Sequence, residues 1–158
     1  MILGKYQYYR NRQERGYSIT AIVQNEDGNL FFAKWIKGIE QNSQAGKILF
    51  DKLRNIKKAQ HKSLAKIVEY DWDTSENAYC IVFEYIDAKT LENEFRNLKP
   101  AHFIKGIENA VSCLKELQQN HRITHGDLNP ANILVDENFD FYLIDFGIAD
   151  ICTTLSQE

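Results

Sequence analysis

The chain has 158 residues, 44% hydrophobic and 26% charged, the balance of an ordinary folded domain rather than a disordered or membrane-embedded one. Nineteen Lys and Arg against twenty-two Asp and Glu leave a formal charge of -3, so no overall positive field is available to hold nucleic acid. Cys80, Cys113 and Cys152 show neither metal-ligand spacing nor disulfide density, and the opening "MILGKYQYYRNRQERG" lacks the apolar stretch of a signal peptide. No window approaches the length of a membrane span, and a reducing, cytoplasmic setting is expected, with specialised export as an effector the alternative.

In chain order, "GYSITAIVQ", "EDGN" and "LFFAKWIK" predict a hairpin with Gly28 in its turn. Residues 43 to about 60 predict a helix, because Leu49, Leu53 and Ile56 recur at i, i+4 and i+7. "LAKIVEYDWD" and "AYCIVFEYI" predict two further strands around the polar turn "TSEN". After Ile86 the pattern turns helical: "DAKTLENEFRNL" is short and polar, and residues 100 to about 119 carry Ile104, Ile107, Val111, Leu114 and Leu117 at helical spacing. Pro100 sits near that helix start, where its fixed φ is an advantage. The reading is an α+β chain in two lobes, with strands and one helix in the first lobe (1–86) and a mainly helical second (87–158).

The segment "ITHGDLNPANILVDENFDFYLIDFGIAD", residues 123–150, predicts loop, strand, turn and strand. Asn132 begins the strand "NILV" and Asp145 ends "FYLID", so antiparallel pairing brings the amide oxygen and the carboxylate together. Two such oxygens suit Mg²⁺, a hard cation that fills its shell with water and phosphate. Asp127 lies in the preceding loop, where a carboxylate can orient a hydroxyl nucleophile and accept its proton.

This joint pattern resembles the protein kinase superfamily. His125, Gly126, Asp127 and Leu128 followed by Asn132 are similar to the catalytic loop, and Asp145, Phe146 and Gly147 to the metal-binding triplet, at the family's separations of five and thirteen residues. The resemblance implies a bilobal fold whose first lobe is a five-stranded sheet with one helix, an ATP- and Mg²⁺-dependent phosphotransferase activity, and a protein Ser/Thr hydroxyl as acceptor. It implies that Asp127 is the catalytic base, that Asn132 and Asp145 hold Mg²⁺, and that Lys34 clamps the phosphates. Lys34 shares its strand face with Leu30, Phe32 and Ile36, an apolar setting in which an ammonium needs an anion. By the same resemblance Gly16 and Thr20 cover the nucleotide and backbone groups of Glu84 to Ile86 pair with the base. Phe83 then closes the back of the pocket, Leu134 floors the base and Thr90 reaches the ribose.

The sequence also departs from the family. "RNRQERGYSIT" holds only Gly16 where three spaced glycines are usual, which predicts weak cradling of the phosphates. Phe32 stands in place of a small alanine, unless a local bulge brings Ala33 there. The helix offers Leu49 or Lys52 where a glutamate should pair with Lys34, and its nearest carboxylate, Asp51, points roughly away from the apolar face. Gly126, Asn129 and Ala131 replace the catalytic-loop cations, and the family's activation segment and later helices do not appear before Glu158. The expected object is therefore a partial kinase domain whose long second-lobe helix has an apolar face for a protein partner. Two alternatives keep the same site: a small-molecule kinase of the aminoglycoside type, and a weak nucleotide binder acting through partners.

Overall fold

The computed structural model describes residues 1–145, which form two compact units. The first comprises Met1–Leu53 and Lys66–Tyr85, and the second holds Arg54–Ala65 and residues 86–145.

In the first unit five strands, β1 (Gln7–Arg15), β2 (Ser18–Gln24), β3 (Leu30–Ile36), β4 (Ile67–Asp73) and β5 (Ala78–Glu84), pair antiparallel in the order β1-β2-β3-β5-β4. The β2–β3 hairpin closes through Gly28, whose φ of 80° lies in the left-handed region that glycine enters without penalty. Asn25 Oδ1 accepts the Asn29 N–H at 2.9 Å and completes the turn. Helix α1 (Gln44–Lys58) starts where Ser43 Oγ accepts the Gly46 N–H at 3.1 Å, and it buries Leu49, Leu53 and Ile56, the periodic face. Gly46 has no room for a side chain, because an added Cβ would collide with the Tyr79 hydroxyl.

The strand period of two divides the sheet into two faces. Ile19, Ala21, Val23, Ala33, Trp35, Ala78, Cys80 and Val82 form a core under Ile2 and Tyr6 of an N-terminal strap. A buried carboxylate ties this layer together. Asp73 accepts from Trp35 Nε1 at 2.7 Å, Ser75 Oγ at 2.7 Å, the Ser75 N–H at 3.3 Å and the Leu3 N–H at 3.4 Å. Tyr6 adds a 2.5 Å hydrogen bond to Glu69, and burial first, then that carboxylate, raises its hydroxyl pKa. The opposite face carries Thr20, Ile22, Phe32, Lys34, Ile36, Tyr79, Ile81 and Phe83.

The second unit contains a three-stranded sheet, β6 (Ala88–Thr90), β7 (Ile133–Asp136) and β8 (Phe141–Leu143), in the order β6-β7-β8. Helix α2 (Leu91–Glu94) follows β6, and helix α3 (Pro100–His121) follows a single 3₁₀ turn. The stretch read as wholly helical after Ile86 thus begins as a strand. Three residues of Ala-Lys-Thr are too short to show a period, and their partners lie 44 to 48 residues away in β7. Thr90 then turns the chain, its Oγ accepting the Asn93 N–H at 3.3 Å. The segment 54–65 also belongs to this unit, through Leu143 N–H to Ser63 O at 2.7 Å and Ala65 N–H to Leu143 O at 3.2 Å.

Helix α3 docks on β8 through Gly106, where an added Cβ would lie 2.5 Å from three atoms of the fully buried Phe141 ring. Gly→Ala inside a helix gains up to about 1 kcal/mol in propensity. Overpacking a filled core costs about 1–3 kcal/mol, and so close a ring lets this cost outweigh the gain. Gly106→Ala is therefore expected to lower Tm by a few degrees in a thermal melt, and an unchanged or raised Tm would show that Phe141 can move aside.

Candidate active site

The loop after α3 is built by its backbone first. Arg122 ends the helix in the left-handed conformation at φ 53°, and Gly126 has φ 86°. At such a φ a side chain is strained, so Gly126 is a backbone requirement as well as the loss of an arginine. His125 is 4% exposed. Its Nδ1 accepts the Asp127 N–H at 3.1 Å, which assigns the proton to Nε2, and Nε2 donates to Ile144 O at 2.6 Å. One imidazole thus links the loop holding Asp127 to the residue before Asp145.

Two amides converge on Asp127. Asn132 Nδ2 donates to its carbonyl oxygen at 2.8 Å and to its Oδ2 at 3.3 Å. Asn129 Nδ2 donates to the same carbonyl and to Oδ1, each at 3.2 Å, while Asn129 Oδ1 accepts the Ala131 N–H at 2.9 Å. The carboxylate is held on both oxygens and stays exposed. Asn129 thus contacts the Asp127 carboxylate, a feature that the sequence, showing only an absent lysine, did not reveal. Its signal was the Asn-Pro dipeptide at 129–130, which favours a side-chain-closed turn.

The local structure at Asn132 and Asp145 differs from the sequence expectation. Asn132 lies in the 3₁₀ turn Pro130–Asn132 rather than in the strand, because its N–H closes onto Asn129 O at 2.9 Å. Asp145 lies two residues beyond β8 rather than at its end, with φ 63°. The hairpin ladder nevertheless continues past both, since the Ile144 N–H donates to Asn132 O at 3.1 Å. Committing Asn132 Nδ2 to Asp127 leaves Oδ1 as the amide atom for a cation, so the donor set fits a hard metal ion. Among the described residues no group of three or more His, Cys, Asp or Glu side chains could hold a metal. Phe146 and Gly147, the rest of the expected triplet, lie outside the described residues.

The other expected residues fall on both units. Lys34 is half-buried on β3, paired across the ladder with Thr20 and Ile81. Gly16 takes φ 55° in a two-residue turn between Arg15 and Ser18, and Lys37 N–H ties that turn to Tyr17 O at 2.7 Å. So tight a turn leaves few amides to surround a phosphate. Glu84 ends β5 with its N–H donated to Lys66 O at 3.0 Å, and the half-buried Ile86 opens the second unit. Leu134 pairs with Thr90 and Tyr142 in the second sheet. The β3 ladder runs unbroken from Phe31 to Ile36, which excludes the bulge that would bring Ala33 to the Lys34 face. Ala33 is fully buried on the opposite side. Asp51 is exposed, away from the buried Leu49 and Leu53. Cys80 and Cys113 are buried free thiols, and burial pushes the Cys113 thiol up to about 12, which removes it as a nucleophile at neutral pH.

The family model described as protein kinase domain matches residues 16–157. The chain belongs to the protein kinase domain family. A probable receptor-like serine/threonine-protein kinase of Arabidopsis thaliana is 26% identical over 147 residues, covering 87% of this chain and 33% of that protein. Serine/threonine-protein kinase PrkC of Bacillus subtilis is 34% identical over 92 residues, 56% of this chain and 14% of PrkC. The kinase domain of maize sucrose-induced receptor kinase 1, bound to AMP-PNP, superposes with a TM-score of 0.74 at 19% identity, covering 89% of this chain and 51% of that one. The kinase chain thus has the kinase fold and spans a third or less of these two curated relatives. No helix among its described residues is long and apolar enough to cross a membrane.

Proposed function

We propose that this kinase chain carries an ATP- and Mg²⁺-dependent phosphotransferase centre that acts on Ser or Thr hydroxyls of a protein substrate. The observation that carries the reading is the Asp127 carboxylate, presented to solvent and held by Asn129 and Asn132, with Asn132 bonded through its backbone to the residue before Asp145. Asp127 orients the acceptor hydroxyl and takes its proton. Asn132 Oδ1 and the Asp145 carboxylate would hold Mg²⁺, which when bound neutralises phosphate charge. On the first unit Lys34 binds the phosphates, with Gly16, Thr20 and the Glu84 backbone as nucleotide contacts; on the second, the family resemblance assigns Leu134 and the Ile86 backbone to the base. The named Ser/Thr kinase relatives favour a protein acceptor. Free thiols and the ATP requirement suit the cytoplasm, and the exposed Ile104 and Val111 on α3 support a protein surface covering that helix.

The test is transfer of labelled phosphate from ATP with Mg²⁺ to protein and small-molecule acceptors, comparing the wild type with Asp145→Asn. The expected result is Mg²⁺-dependent labelling of protein, lost in the variant. Labelling of small molecules alone would move the activity to the aminoglycoside-type class. A second reading, a weak nucleotide binder, is favoured by the tight Gly16 turn and by Phe32 beside Lys34. A Mg-ATP-dependent rise in Tm without transfer to any acceptor would establish it in place of the first.

A further inference from the structure

Lys34 can bind phosphate in only one direction along its strand. Toward the strand end, Ile36 and Tyr79 are buried, and Phe50 of α1 packs on Tyr79 with ring centroids 5.4 Å apart. Gly46 brings the same helix against the Tyr79 hydroxyl. That half of the face is filled. Toward the strand start, Phe32 is half-buried two residues from Lys34, on the same face and about 6.6 Å along the strand. Along the strand, a nucleotide with its phosphates at Lys34 has room for its base only on the Phe32 side.

That place already holds two rings. Phe32 is the ladder partner of Phe83, and also of Ile22 on the other side. The Phe32 and Phe83 rings lie 6.3 Å apart at 45°. Rings inclined at 45° to one another cannot both lie parallel to one base, so the pair forms no shared flat platform. The unbroken ladder prevents Phe32 from rotating to the opposite face, where the buried Ala33 and Trp35 leave no space.

We propose that Phe32 is a specificity-determining wedge that lifts a purine base off the sheet, so that the phosphates contribute most of the binding of a nucleoside triphosphate to this chain. The proposal rests on the reading of Lys34 as the phosphate-binding residue, and its test separates the two. Calorimetric titration of the full chain with Mg-ATP, Mg-CTP and Mg-tripolyphosphate compares the wild type with Phe32→Ala, Phe32→Leu and Lys34→Met. The wild type is expected to bind Mg-ATP within about threefold of Mg-tripolyphosphate. Phe32→Ala should tighten Mg-ATP about tenfold, tighten Mg-CTP less, and leave tripolyphosphate within about twofold. Phe32→Leu, which keeps an apolar side chain in the ladder, should fall between and guards against a folding defect in the alanine variant.

Loss of Mg-ATP affinity in both Phe32 variants, or an ATP-to-tripolyphosphate ratio that neither changes, overturns the wedge even if Lys34→Met abolishes phosphate binding. Conversely, tripolyphosphate binding that survives Lys34→Met removes the Lys34 assignment and, with it, the geometric basis for the wedge. Absence of binding in every variant overturns both.

Discussion

Asp127→Asn is expected to lower the rate of phosphoryl transfer about 10²–10⁴-fold, the usual contribution of a positioned base, while nucleotide affinity stays within about twofold. The separation follows from how the loop is held. Asn132 donates to the Asp127 carbonyl at 2.8 Å, closer than to its carboxylate at 3.3 Å, and Asn129 also reaches the carbonyl. The Asp127 N–H still engages His125. Backbone anchors therefore survive the substitution, and an amide of nearly the same shape replaces the carboxylate without its proton affinity. Single-turnover transfer and equilibrium nucleotide binding should be measured on the same preparations. A rate within about fivefold of wild type would remove Asp127 from the chemistry.

The second large effect concerns stability. Asp73→Ala strips the acceptor from the fully buried Trp35 indole, from Ser75 and from the Leu3 backbone at once. Leaving the buried indole donor unsatisfied costs about 1–3 kcal/mol, and the more accessible Leu3 and Ser75 donors add less, so a loss of about 3 kcal/mol and a Tm lowered by roughly 6–12 °C are expected. Asp73→Asn retains one acceptor oxygen and should recover part of the loss. Equal melting of the aspartate and alanine forms would mean that water replaces the carboxylate, which a 1% exposed residue does not readily allow.

The features legible in the sequence were those with a period or a spacing. Leu49, Leu53 and Ile56 marked one helix face, Gly28 marked a turn, and the spacing of Asp127, Asn132 and Asp145 marked the kinase family. Features set by tertiary pairing were not legible. β1 reads "QYYRNRQER" and every residue of it is exposed, so no alternation announces a strand. β6 exists because Thr90 and Ala88 find β7. Gly126 and Asn129 looked like missing cations, although one supplies a left-handed φ and the other closes a turn onto Asp127. The absence of a bulge at Ala33 depends on the β3–β5 register, which one strand alone cannot reveal.

The polar first strand also bears on behaviour at high concentration. A nine-residue edge strand offers unpaired amides to a neighbouring molecule, a route to fibrillar assembly. Here the β1–β2 register shifts twice, between Tyr8 and Arg10 and between Arg10 and Gln13, and Asn11 takes φ 58°. Arg10, Arg12, Glu14 and Arg15 line the same strand. A second molecule would meet a bent, charged edge with broken register, so sheet extension through β1 is disfavoured.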